Sequence, residues 1–133
     1  MNIVVCVKRV PDTETKIKIG PEGTKIDPTG VEFIISPFDE FAVEEAIRIK
    51  EKLGKGEITI LSLGPSDAQT IMRKAYAMGA DKGIHLNDPS ECPDALAEAH
   101  ALATALKEIP FDLVLFGKQA IDYDNGAVGV QVA

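Results

Sequence analysis

Phe111-Asp-Leu-Val-Leu-Phe-Gly-Lys-Gln-Ala-Ile-Asp122, running on through Tyr123-Asp-Asn-Gly126, opens as an apolar run, breaks at a glycine and turns polar. Leu113, Val114, Leu115 and Phe116 are apolar at consecutive positions rather than alternate ones, so both faces of the segment must be covered. That is the pattern of a strand in a parallel sheet lying between helices. Gly117 then permits a backbone turn that other residues resist, and Asn125-Gly126 adds a second permissive point. In open α/β sheets ligands gather outside the carboxyl ends of the strands, which makes the polar segment after Phe116 the first candidate for a site.

The same alternation of elements continues upstream. Asn2 to Val7 reads as the first strand, with Ile3, Val4, Val5, Cys6 and Val7 as its apolar run and Pro11-Asp12-Thr13 ending it. Lys16 to Ile19 alternates with period two, Val31 to Ile35 reads as a second short strand, and turns fall at 20–23 and 27–30. Residues 13–35 are therefore expected to form a small antiparallel excursion at one edge. A helix is predicted over about 37–53, with Ser36 as N-cap, Pro37 at its first position and Asp39 as the acid of a capping box. Phe38, Ala42, Ala46, Ile49 and Leu53 recur at helical spacing before Gly54 closes it. Ile58 to Leu63 reads as a strand stopped by Gly64-Pro65. A helix at 66–79 follows, with a Ser66/Gln69 capping box and a stripe of Ile71, Ala75 and Met78. Lys82 to Leu86 reads as a strand, and Pro93 to Ile109 as a helix with Leu96, Ala99, Leu102 or Ala103, and Leu106 on one face.

With a last strand at 111–116, this order specifies an α/β fold, a doubly wound parallel sheet of Rossmann-like type, in a single domain over 1–133. The residues Gln131-Val132-Ala133 fall inside what should be the next helix. A sheet without that helix would leave an apolar edge, which favours reading the chain as the amino-terminal part of a longer one.

A chain of 133 residues can bury about two-thirds of its unfolded surface, and 45% hydrophobic with 26% charged residues is a globular composition. The net charge of −7 and the scattering of Lys and Arg argue against a nucleic-acid surface. No apolar run approaches membrane-spanning length, and Asn2 to Val7 is too short for a leader. These features imply no membrane insertion and a cytoplasmic location, or an organelle matrix after removal of an import segment. Cys6, in a strand, and Cys92, beside Pro93 in a loop, form neither a disulfide framework nor a metal site.

Phosphate motifs of the common kinds are missing. No Gly-x-x-x-x-Gly-Lys-Ser/Thr occurs, and no Gly-x-Gly-x-x-Gly follows the first strand, which disfavours a nucleoside triphosphatase and a nicotinamide dehydrogenase. Four loops at strand ends remain: Lys8-Arg9, Ser36-Pro37, Gly64-Pro65-Ser66 and Gly117 to Gly129. Taken singly, Cys6 is an ordinary core filler, and Ser36 and Ser66 are helix caps. His85 and His100 lack a nearby partner, and the acids and lysines between Glu40 and Lys52 form a solvated helix face. The length and polarity of the last loop mark it as more than a connection.

Four segments, in order, resemble the electron transfer flavoprotein β-subunit family: Val5 to Asp12, Ser36 to Ala46, Ala77 to His85, and Gly117-Lys-Gln-Ala-Ile-Asp122. Members of that family are longer, so the resemblance identifies this chain with their amino-terminal half. It implies an adenine nucleotide touched at Cys6, Ser36, Pro37, Phe38, Asp39 and Leu63, and along Gly117, Lys118, Gln119, Ala120, Ile121, Asp122, Tyr123, Asp124, Asn125, Gly126, Ala127 and Val128. The nucleotide would be AMP, or FAD in an electron-bifurcating form. It implies an FAD-carrying α subunit as partner, sharing its flavin at the interface, and dehydrogenases as electron donors. The chain would be an electron carrier subunit without catalytic residues of its own.

Within that loop, Asp122, Asp124 and Asn125 suit ribose hydroxyls or the adenine amine. The aspartates would repel a phosphate, so the phosphate is assigned to backbone N–H groups from Asn125 to Val128 at a helix start. Ala127 and Val128 stand where the family often carries Gln, Thr or Ser, leaving the phosphate to the backbone alone. The alternatives are a nucleotide-binding regulatory or stress-response domain of similar fold, which Gly126-Ala-Val-Gly129 echoes faintly, and an adenylating enzyme. The adenylating enzyme would require a phosphate loop after the first strand that Lys8-Arg9-Val10-Pro11 does not provide.

Overall fold

The computed structural model of the chain describes residues 1–90 and 94–133. Strand β1 (Asn2–Cys6) is followed by a short ribbon of β2 (Arg9–Pro11) and β3 (Phe33–Ile35), then α1 (Pro37–Leu53), β4 (Glu57–Gly64) and α2 (Ala68–Met78). β5 (Lys82–Asn87), α3 (Ala95–Leu106), β6 (Leu113–Phe116) and α4 (Val128–Val132) complete the order. Strands β5-β4-β1-β6 form one sheet in that order, and every pairing is parallel.

Apolar runs without alternation put side chains into two cores, one on each face. Ile3, Val5, Ile58 and Ile60 pack beneath α1 and α2 with Val43, Ala46, Ile71 and Ala75. Val4, Cys6 and Leu61 face the other way, against Leu102 and Leu106 of α3, with Val128 and Val132 of α4 at the margin. Leu113 and Leu115 of β6 join the first core, Val114 and Phe116 the second, so the segment is covered on both sides as its sequence requires. Its four residues are only half-buried because β6 is an edge strand. The strand also starts later than the sequence suggests. Phe111 is exposed, and Asp112 turns back to bond Asn2, donating its N–H to the Asn2 carbonyl and accepting the Asn2 N–H on its carboxylate at 2.6 Å.

The excursion expected at 13–35 is a ribbon whose paired strands lie at its two ends, Arg9–Pro11 against Phe33–Ile35. Lys16 to Ile19 contributes only an isolated bridge, Ile19 to Ile26, and Ile17 and Ile19 are exposed. Alternation there has no buried face to serve.

Both capping boxes read from the sequence are absent. Ser36 precedes α1 but its side chain caps nothing, and Asp39 turns its carboxylate elsewhere. Asp67, not Ser66, precedes α2, again without a side-chain cap. Of the capping expectations, Gly54 holds: it closes α1 in the left-handed region at φ 68°. The predicted start of α3 at Pro93, and Cys92 beside it, lie outside the described residues. Asp94 caps α3, accepting N–H bonds from Leu96 at 2.8 Å and Ala97 at 3.2 Å. Leu96, placed by its spacing on the buried face, is exposed, while Ala99, Leu102 and Leu106 are buried.

Asp94→Ala strands two amides at the first turn of α3 and is expected to cost about 0.5–2 kcal/mol. Ser36→Ala removes a buried hydroxyl that has no hydrogen-bond partner among the described residues and is expected to cost less. Chemical denaturation of the two variants checks the order; no loss in Asp94→Ala would mean that the Asp94 cap is not stabilising.

Candidate functional site

After β1 the chain leaves for α1 on one face, and after β6 it leaves for α4 on the other. Their carboxyl ends diverge, and a crevice opens between them, as at the switch point of a doubly wound sheet. The crevice is a cleft with about 670 Å³ of empty space, open to solvent. Cys6, Leu63, Leu102, Phe116 and Val128 give it apolar surface, and residues after β1 and β6 give it a polar rim.

Asp39 sets the position of that rim. It lies in the first turn of α1 and is 7% exposed, and its two carboxylate oxygens each accept a backbone N–H. One is from Lys8 at 2.8 Å, just past β1, and the other from Gly117 at 3.1 Å, just past β6. Burial pushes the Asp39 carboxyl up to about 7, and the two amides and the Lys8 ammonium only partly oppose it. Gly117 sits so close to α1 that a Cβ would lie 2.6 Å from the Phe38 carbonyl carbon and 2.7 Å from the Asp39 nitrogen. Beneath, burial and then the Asp39 charge push the Cys6 thiol up.

The loop from Gly117 to Ala127 is held by its own contacts. Asp124 has a left-handed backbone, φ 53°, unusual for a side-chain-bearing residue. Its N–H donates to the Ala120 carbonyl at 3.0 Å, and its carboxylate accepts from Gln119 Nε2 at 2.9 Å. Asn125 Oδ1 accepts the Ala127 N–H at 3.3 Å, and Gly126 takes φ 58°. Helix α4 begins at Val128, and Gly129 lies against Phe116, where a Cβ would come within 3.2 Å of the ring.

A cluster of charge crosses the cleft. The Lys8 ammonium lies 3.1 Å from Asp122 Oδ2 and 3.7 Å from Glu98 Oε1 of α3. It also stands 5.0 Å from the centroid of the Tyr123 ring. Burial raises the Glu98 carboxyl, with Lys8 opposing.

Of the residues singled out in the sequence, Cys6, Asp39, Leu63, Gly117, Lys118, Gln119, Ala120, Asp122, Tyr123, Asn125, Gly126, Ala127 and Val128 all line this cleft. Ser36, Pro37, Phe38, Ile121 and Asp124 do not. Ser36 is buried, with its N–H on the Lys8 carbonyl at 2.9 Å, and Asp124 is turned into the loop. Val7, Lys8, Glu98, Leu102, Phe116 and Gly129 line it as well, beyond the residues expected from the sequence. Lys8 stands in a strand-end loop, whereas Glu98 sits on a helix whose sequence signals only amphipathicity. Chemically, the cleft offers apolar surface for a flat ring, carboxylates able to accept from hydroxyls, and amides at the start of α4 without intrahelical partners. The Ala127 amide is already taken by Asn125.

A family model described as the electron transfer flavoprotein domain matches residues 23–133. The electron transfer flavoprotein subunit beta of Thermoanaerobacterium thermosaccharolyticum is 45% identical over 100% of this chain, which covers 51% of that protein. The human protein of the same name is 43% identical over 100% of the chain, covering 53% of its own length. Protein FixA of Bradyrhizobium diazoefficiens is 41% identical over 100% of the chain, covering 48% of its length. The chain thus spans about half the length of the curated relatives it matches. No helix among the described residues is long and apolar enough to cross a membrane.

Two expectations follow from the Asp39 brace. Gly117→Ala forces α1 and the end of β6 apart and is expected to destabilise the domain by about 1–3 kcal/mol, measured by thermal melting. Asp39 has a folded-state value of about 7 against 3.8 for the free group, so between those values the folded state holds a proton that the unfolded chain does not. Its contribution to stability therefore falls as pH rises through that window. The stability of the wild type relative to Asp39→Asn is expected to increase as pH is lowered from about 8 to about 5. A flat or opposite slope in paired denaturation curves would show that this carboxyl is not the titrating group.

Proposed function

The chain belongs to the electron transfer flavoprotein family and corresponds to the amino-terminal half of its β subunit, and on that premise we propose that its cleft holds an adenine nucleotide beside a flavin-carrying partner. The nucleotide is AMP, or FAD in an electron-bifurcating form. The partner is an α subunit that carries the electron-transferring FAD, and dehydrogenases supply the electrons. This chain contributes no redox group; it holds the nucleotide and presents a docking surface, acting as an electron carrier subunit rather than an enzyme.

The observation that carries this reading is the position of the cleft. It lies where β1 and β6 part, and the loop from Gly117 to Ala127 forms one of its walls. Its apolar surface suits the adenine ring. Asp122 would accept from a ribose hydroxyl, and the amides of Gly126 and Val128 would face a phosphate. Asp124 is spent on Gln119, which concentrates the sugar contact on Asp122 and Asn125.

The test is the nucleotide released on denaturing the full-length protein purified from cells co-expressing its partner. AMP or FAD in stoichiometric amount is expected, with a 1:1 complex on sizing. Asp122→Ala is expected to weaken retention by about 1–3 kcal/mol. Gly126→Val should weaken it further, because φ 58° already disfavours a side chain there. His100→Ala, exposed on α3, should retain nucleotide normally. Normal retention by both loop variants would move the site elsewhere. ATP without any flavin-bearing partner would favour the regulatory-domain reading instead.

A further inference from the structure

Lys8 makes contacts on several sides of the cleft, and it lies after β1 rather than in the loop after β6. Its main chain is fixed on both sides: its N–H donates to Asp39 at 2.8 Å, and its carbonyl accepts the Ser36 N–H at 2.9 Å. The side chain is thereby aimed along the cleft wall, where its ammonium meets Asp122 at 3.1 Å and Glu98 at 3.7 Å. The Lys8 side chain is 28% exposed, and those of Asp122 and Glu98 are 17% exposed. These charges are only partly withdrawn from water, Asp122 being exposed through its backbone, so screening is reduced rather than abolished, and deleting one partner leaves the others less compensated. The cleft lining otherwise leans acidic, with Asp39, Glu98 and Asp122 against Lys8 and Lys118. A nucleotide phosphate entering this space would be repelled more strongly the less of that negative charge is offset.

We propose that Lys8 is a specificity-determining residue of the cleft: by offsetting one of the two negative charges of Asp122 and Glu98 it admits an anionic nucleotide, and without it the cleft would favour the uncharged nucleoside. This rests on the nucleotide reading above and adds to it a residue from outside the loop. Lys8 acts through the two carboxylates and not as a phosphate ligand.

The experiment uses full-length protein stripped of nucleotide, titrated calorimetrically with AMP and with adenosine. Lys8→Met is expected to weaken AMP on the order of tenfold and adenosine by less than about twofold, while Lys8→Arg keeps both. In the Lys8→Met/Glu98→Gln double variant one uncompensated carboxylate is gone, and most of the lost AMP affinity should return. Glu98→Gln alone should raise the preference for AMP over adenosine, a readout that stands even where Lys8→Met lowers the melting temperature. Equal losses of both ligands in Lys8→Met, or no change in either, would overturn the proposal. A double variant without recovery would also overturn it, by making Lys8 a direct phosphate contact. Wild-type protein that binds neither ligand would instead sink the nucleotide reading itself, and this inference with it.

Discussion

Two backbone amides, each just past the end of a different strand, converge on one carboxylate, and the shape of the cleft follows from that. The parallel ladder between β1 and β6 ends at Cys6 and Phe116, beyond which the chains depart to opposite faces. Amides just past that point have lost their sheet partners, and Asp39 supplies replacements to Lys8 and Gly117. Its place in the first turn of α1 also sets a negative charge where the helix dipole favours one. Those interactions do not outweigh burial, since the carboxyl rises to about 7. The brace is thus held at an energetic cost in its charged form, an arrangement common where geometry matters more than stability.

The remaining constraints follow from how close α1 comes. Gly117 has no side chain because Phe38 and Asp39 occupy the space one would fill. Gly129 is small for a parallel reason on the other face, where α4 settles on Phe116. The first contact draws the end of β6 toward α1, and the second lays α4 over the opposite core. Apolar side chains from both strands are left lining the space between. Lys8, held by its own main chain, then carries its charge into that space instead of out to solvent.

How much of this the sequence discloses depends on whether a signal is local. Parallel strands buried on both faces write themselves as unbroken apolar runs, so Ile3 to Val7, Ile58 to Leu63 and Leu113 to Phe116 were legible, and with them the doubly wound sheet. The ribbon strand at Arg9–Pro11 was not, because three residues after a strand end look like a turn and its partner lies at Phe33–Ile35. Ser36 and Asp39 have the spacing of a capping box, but tertiary partners at Lys8 and Gly117 claim the carboxylate. The same is true of the cleft. The loop after β6 advertises itself by glycines and polarity, whereas Glu98 belongs to the cleft only because α3 packs over that end of the sheet. Long-range pairing, not composition, decides such residues.

The loop's internal bonds also decide which of its acids remains available. Asp124 holds a left-handed backbone with both of its bonds, to Ala120 and Gln119, made within the loop, so its carboxylate is turned to the loop. Asp122 accepts from Lys8 and from the Tyr123 N–H at 2.9 Å, yet an ionised carboxylate offers about four lone-pair sites and keeps capacity for a hydroxyl. A ligand reaching this wall meets groups already fixed by their neighbours and need not order them. Preorganisation of that kind converts contact into affinity, because the cost of arranging the donors and acceptors has been met in folding. With little regular secondary structure in this loop, the contacts that fix its path are those of Asp124, Asn125 and the Lys8 pair rather than those of a helix or a strand.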